Sequence, residues 1–185
     1  MALLNSYDLP IGWDAPDFKL PNTEGNGISP NNFQEKKGLL VVFTCNHCPY
    51  AKASWPLVID LFHKFSKDVG FLAVNPNDAI THPEDSYEIM KEKKIEWNIP
   101  FDYLHDASQE IAKAYKAQCT PDLYLLKNTD GAWKLFYHGR INDNWQDPTA
   151  VQEKNLEDVL ADLVGDKEPP KDQKPSMGCS IKWKK

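Results

Sequence analysis

Two cysteines set three positions apart, Cys45 and Cys48, can carry out thiol chemistry in this chain. They lie in the run Gly38-Leu39-Leu40-Val41-Val42-Phe43-Thr44-Cys45-Asn46-His47-Cys48-Pro49-Tyr50. In that run an apolar, β-branched segment reads as a buried strand and delivers a Cys-x-x-Cys to the start of what reads as a helix. An ordinary cysteine titrates near ~8.5, whereas unpaired N–H groups and the positive end of a helix dipole favour the thiolate. Cys45, the first of the pair, is expected to be the accessible, low-pKa nucleophile. Cys48, one turn further in and shielded, is expected to attack a mixed disulfide formed on Cys45 and release the partner. His47 lies between them, and an imidazolium beside a thiolate would stabilise the reduced state. The ordinary alternative for His47 is a solvated loop histidine.

The elements that must position this pair follow from the patterning. Gly12 to Leu20 reads as a lead-in with a short strand, and Asn22 to Gly27 as a turn. Strand Gly38 to Thr44 precedes a helix from about Cys48 to Lys67, with Leu57, Leu61, Phe62 and Phe65 on one face and a kink expected at Pro56. Gly70 to Asn75 is a second buried strand, and Pro83-Glu84-Asp85-Ser86 opens a helix carrying Tyr87, Ile89 and Met90. Phe101 to Leu104 is extended, and Ser108 caps a helix to about Tyr115. Leu123 to Leu126 returns as a strand, and the turn Asn128-Thr129-Asp130-Gly131 leads into Trp133 to Tyr137. Asp147-Pro148 starts a last helix ending near Gly165, with Leu156, Val159, Leu160 and Leu163 inward. A βαβ unit, a helix, a hairpin and a final helix make an α/β domain over residues 1–165 with a central mixed sheet. Residues 166–185 form an extended C-terminal tail, rich at first in Lys, Pro and Asp.

With 185 residues, one domain and one core are expected. A net charge of −6 argues against nucleic acid or an anionic membrane as partner, since phosphate recognition needs a basic face. The lysines at Lys182, Lys184 and Lys185 read as a solvated tail. Residues 1–8 lack the basic start and apolar run of a signal peptide, and no stretch reaches membrane-spanning length, so a cytoplasmic location is expected. In such a reducing compartment the four cysteines fit redox or metal chemistry better than structural disulfides.

With the strand and helix placed, the sequence resembles the thioredoxin-fold redoxins of the peroxiredoxin-like branch, often labelled thiol-disulfide isomerase and thioredoxin. The resemblance rests on Ala15-Pro16-Asp17-Phe18, the segment Phe43 to Tyr50, Cys119-Thr120-Pro121-Asp122, Gly139 to Trp145, and Gly178 to Lys184. It implies a three-layer α/β/α fold with N-terminal additions. It also implies that Pro121 is a cis proline facing the cysteine pair, and that Thr120 before it belongs to a segment that holds an extended thiol substrate. Thr44 stands where thioredoxins have Trp, and Asn46-His47 where they have Gly-Pro. Aligned on Cys48-Pro49, the peroxiredoxin pattern Pro-x-x-x-Thr-x-x-Cys meets Val41 and Cys45, so the hydroxyl that orients a peroxide is missing.

The resulting expectation is a thiol-disulfide oxidoreductase without a cofactor, acting on protein or small-molecule thiols and disulfides as a monomer or homodimer. A thiol-dependent peroxidase is the second reading. For it, Arg140, the only arginine, can hold a thiolate or peroxide oxygen, or else serve a structural ion pair. Cys179, followed by Trp183, resembles a C-terminal resolving cysteine, or else is a buried, inert tail cysteine, and a long linker weighs against its closing on the pair. Cys119 is expected to pack near the pair. A metal-binding module using Cys45, Cys48, Cys119 and a histidine is the third reading. His63, His82, His105 and His138 lack ligand spacing and read as structural or solvated.

Overall fold

A computed structural model describes residues 2–185; Met1, part of the N-terminal stretch read above, lies outside them. In chain order, β1 (Leu3–Asn5) and the short pair β2 (Leu20–Pro21) and β3 (Gly27–Ile28) precede β4 (Gly38–Phe43) and α1 (Pro49–Phe65). Next come β5 (Val69–Asn75), α2 (Tyr87–Glu96), β6 (Asp102–His105), α3 (Glu110–Ala114) and β7 (Cys119–Thr120). The hairpin β8 (Asp122–Thr129) and β9 (Ala132–His138), then α4 (Asn155–Val164) and β10 (Met177–Ser180), complete the chain.

The central five-stranded sheet has the order β6-β5-β4-β8-β9. β4 runs parallel to β5, and β5 to β6, because helix-containing connections join them; β8 lies antiparallel to β4 and β9 antiparallel to β8. Every residue of β4 and β5 is buried, the pattern of strands covered on both faces. Alternation along β4 separates two cores: Leu40 and Val42 pack with Trp55, Val58, Met90 and Leu160, whereas Leu39, Val41 and Phe43 pack with Phe18, Tyr115 and Tyr124. Helices α1, α2 and α4 thus cover one face, and α3 with the N-terminal segment covers the other. Gly70 lets β5 approach this second layer, since a Cβ there would lie 2.3 Å from the Phe33 ring.

Several boundaries differ from those read in the sequence. Asp147-Pro148 opens only a 3-10 turn, Pro148–Ala150, because the Asp147 side chain closes on the Thr149 N–H at 2.9 Å and the chain leaves extended at Val151; α4 begins at Asn155. The expected inward residues Leu156, Val159, Leu160 and Leu163 are all buried. In α1 the buried stripe is Ala51, Ser54, Trp55, Val58 and Leu61, with Phe62 and Phe65 at its margin, and the helix continues through Pro56. The lead-in carries no strand before β2.

The tail folds back as structure. β10 is the middle strand of a second sheet, β1-β10-β7, antiparallel to both neighbours. This sheet brings residues from both ends of the chain against β7, at the mouth of the cysteine pair.

Candidate active site

β4 ends at Phe43, and Thr44 continues its register by donating its N–H to Val74 O at 2.8 Å. The next three residues cross from sheet to helix, and α1 starts at Pro49 with Cys48 as its N-cap. Pro49 suits that first position, where no intrahelical N–H is needed. Cys48, not Cys45, is therefore the residue at the helix terminus, although its side chain makes no capping hydrogen bond. The helix thus starts where the sequence reading placed it, at about Cys48, with Cys45 three residues before the cap.

Both sulfurs are enclosed, Cys45 and Cys48 each being 0% exposed, so Cys45 is not the accessible member. Burial pushes the Cys45 thiol well above its ordinary range, helped by Cys48 and the charge of Asp85. Cys48 moves the other way, to about 4, because the thiols of Cys45 and Cys179 and the Ala51 amide stabilise its anion against the cost of burial. The two thiols are thus shifted in opposite directions, with Cys48 the one whose anion its neighbours favour.

Asp85, which sequence reading placed only in a helix-opening turn, is the hub beneath this loop. It is fully buried. Its carboxylate accepts from the Asn46 N–H at 2.7 Å, from Asn77 Nδ2 at 2.7 Å and from His47 Nδ1 at 2.6 Å. Burial opposes its charge, yet these donors hold the carboxyl below its usual range. His47 is thereby fixed rather than solvated, and its ring stacks on His82 at 5.0 Å. Asn46 is fastened again by Tyr103 Oη, which donates to Oδ1 at 3.0 Å, and by its own amide to Glu84 O at 2.9 Å. The loop between the cysteines is thus clamped to the turn after β5. A signal was present in the sequence: an acidic residue a short distance after the second buried strand, at the C-terminal edge of the sheet where sites collect.

Opposite the pair, the Thr120–Pro121 peptide is cis, as the resemblance implies. Thr120 Oγ1 lies 3.2 Å from Cys45 Sγ, and Thr120 O lies 3.4 Å from Cys48 Sγ. Asp122, the next residue, bonds His138 Nε2 at 2.8 Å, and both side chains are buried, so His138 anchors this segment. Cys119 packs in β7 with its thiol directed at Pro121 O, 3.5 Å away, and burial keeps it protonated. Cys179 is brought against the pair: its Sγ lies 2.6 Å from Cys48 Sγ across 131 residues of sequence. The linker argument against that contact fails because pairing with β1 and β7 holds the tail in place. Thr44 Oγ1 is buried and has no hydrogen-bond partner among the described residues.

Arg140 does not join the thiols. Its Nη2 bonds Glu153 at 2.6 Å and its Nε bonds Asn155 at 2.9 Å, the structural ion-pair role. It borders a 290 Å³ cavity whose wall includes Tyr50, Pro121, Trp145 and Met177 but no cysteine. The Tyr50 and Trp145 rings lie 4.0 Å apart there.

One group of metal-ligating side chains occurs among the described residues: donor atoms of Cys45, His47 and Asp85 within 4.8 Å of one another. It differs from the Cys45, Cys48, Cys119 and histidine set weighed from sequence. Asp85 already accepts three hydrogen bonds, so this group is better described as a thiol beside a histidine–carboxylate pair. No helix among the described residues is long and apolar enough to cross a membrane.

The family model described as AhpC/TSA matches residues 11–132. Among solved structures, an uncharacterised conserved protein from Geobacillus kaustophilus is 38% identical, with a TM-score of 0.92 over 100% of this chain and 97% of that one. A hypothetical protein from Sinorhizobium meliloti is 32% identical, with a TM-score of 0.91 over 97% of this chain and 98% of that one. The thioredoxin domain of a thiol-disulfide oxidoreductase from Bacteroides vulgatus shares the fold at 17% identity, with a TM-score of 0.60 over 86% of this chain and 98% of that one. No curated protein matches the sequence.

Proposed function

The chain belongs to the AhpC/TSA family, and from that premise we propose that it is a thiol-disulfide oxidoreductase in which Cys48 attacks and Cys45 resolves. One observation carries this reading: Cys48 is the N-cap of α1 and its Sγ lies 3.4 Å from Thr120 O and 2.6 Å from Cys179 Sγ, while burial raises the Cys45 thiol and its neighbours lower that of Cys48. The roles are the reverse of those suggested by sequence order.

In the reaction the Cys48 thiolate attacks one sulfur of a substrate disulfide. The substrate S–S bond breaks, and the departing sulfur leaves as thiolate and takes a proton from solvent. Cys45 then gives up its proton and attacks Cys48 Sγ, so that the mixed disulfide breaks and the second substrate thiol departs. The substrate gains two electrons and the protein retains a Cys45–Cys48 disulfide, which an external dithiol reduces. His47, oriented by Asp85, stands in the same cluster as Cys45 and suits transfer of its proton. Thr120 Oγ1 positions the Cys45 sulfur.

A peroxidase is the second reading, favoured by the Cys48-Pro49 pair at the helix start. It lacks a free guanidinium, because Arg140 is engaged by Glu153 and Asn155. Reduction of insulin disulfides, measured beside consumption of hydrogen peroxide with the same dithiol, separates the two. Insulin reduction that depends on Cys48 is expected, and peroxide consumption without it would reverse the ranking.

A further inference from the structure

β10 occupies the open side of β7 as an added strand, with Cys179 directly opposite Thr120 and Ser180 opposite Cys119. Thr120 is the residue whose hydroxyl touches Cys45 and whose carbonyl touches Cys48. The tail therefore presents a cysteine to Cys48 in the way that an extended polypeptide bearing a reactive sulfur would, by strand addition beside the thiols. Gly178 makes that approach possible: a Cβ there would lie 2.2 Å from Thr120 O.

The strand is fastened at both ends. Ser176 Oγ donates to Gly139 O at 2.7 Å, and Ser6 N–H donates to Ser176 O at 2.9 Å. Beyond β10, Ile181 N–H donates to Gln118 O at 2.9 Å, and Lys182 N–H to Asn77 Oδ1 at 2.8 Å. Asn77 is also a donor to Asp85, so the tail is tied to the hub under the cysteine loop. An unanchored chain would have to close a long loop to bring Cys179 to Cys48, and the sheet has already closed it.

From this geometry, and resting on the dithiol reading above, we propose that β10 is a built-in surrogate substrate and Cys179 a third redox thiol. In the oxidised protein Cys179 replaces Cys45 as the disulfide partner of Cys48. The Cys179 thiolate attacks Cys48 Sγ of the Cys45–Cys48 disulfide, and that bond breaks with its electron pair on Cys45 Sγ. Cys45 takes up the proton that Cys179 released. One disulfide is exchanged for another with no net electron transfer, so no further oxidant is required. The Cys48–Cys179 bond then stores the oxidised state and fastens the tail over the substrate strand's place until an external dithiol opens it.

Disulfide mapping tests this. Reduced full-length protein is oxidised with one equivalent of diamide and quenched in acid. Its remaining thiols are then blocked with N-ethylmaleimide, and the protein is digested without reductant. The expected product links Cys48 to Cys179 within one chain and carries the block on Cys45. In Gly178→Ala, checked for fold by circular dichroism, the ratio of Cys48–Cys179 to Cys45–Cys48 should fall about tenfold, because the added methyl collides with the Thr120 carbonyl. A wild type that yields only Cys45–Cys48, with Cys179 blocked, overturns the exchange. An unchanged ratio in Gly178→Ala overturns the strand-register argument. If that wild type still reduces insulin through Cys48, the dithiol reading survives the loss of this one; Cys48→Ser that retains insulin reduction would sink the dithiol reading itself.

Discussion

His47 Nδ1 meets Asp85 Oδ2 at 2.6 Å, and this contact ties the loop between the two cysteines to the turn that follows β5. It makes the cysteine loop dependent on a buried carboxylate far from it in sequence. Asp85 holds the Asn46 amide and the His47 ring at once, so the geometry of Cys45 and Cys48 passes through one side chain.

Asp85→Ala should therefore be costly for a single substitution. Each buried donor left unpaired costs about 1–3 kcal/mol, and Asn46, Asn77 and His47 all lose their acceptor. Urea unfolding should show a lower midpoint at an unchanged m-value. The pH dependence has a definite sign. Asp85 is held below its unfolded value of about 3.9, so its contribution is fully present above that pH and fades as pH falls through the folded value. The variant should lose that part of the acid slope.

Cys48→Ser should lower insulin disulfide reduction by at least about a hundredfold, since the attacking sulfur is gone. Cys45→Ser alone leaves Cys179 beside Cys48 as a second resolving thiol. The double variant Cys45→Ser, Cys179→Ser should trap mixed disulfides with substrate, visible as a mass increase that reductant removes. Trapping in Cys48→Ser instead would return the nucleophile's role to Cys45.

The ultraviolet absorbance of the reduced protein should show one thiolate persisting from neutral pH down toward about 4. That signal should disappear in Cys48→Ser and survive in Cys119→Ser, because burial keeps Cys119 protonated. A thiolate signal that titrates away near ~8.5 would show that Cys45 and its other neighbours do not shift Cys48.

Arg140→Lys should change stability by no more than about 1 kcal/mol, as the Glu153 partner is more than half exposed. Its disulfide-reduction rate should stay within about twofold of wild type, since the guanidinium touches no sulfur. A large loss of peroxide turnover in this variant would revive the peroxidase role of Arg140.

Local chemistry was legible in the chain. The run Leu39 to Phe43 specifies a buried strand by its apolar, β-branched side chains, and Leu156, Val159, Leu160 and Leu163 mark the inner face of α4 through helical spacing. Patterning was enough to place two thiols where a strand gives way to a helix, and the family resemblance implied that Thr120-Pro121 faces them. What local patterning could not give is the buried clamp on the cysteine loop, where Asn46 and His47 both bond Asp85 from 38 or more residues away. Tertiary structure also decided the place of Cys179, whose contact with Cys48 spans 131 residues and exists only because β10 pairs with β1 and β7. Local propensity reaches a few residues along the chain; a buried carboxylate and a returning strand act across it, and they set what surrounds each thiol.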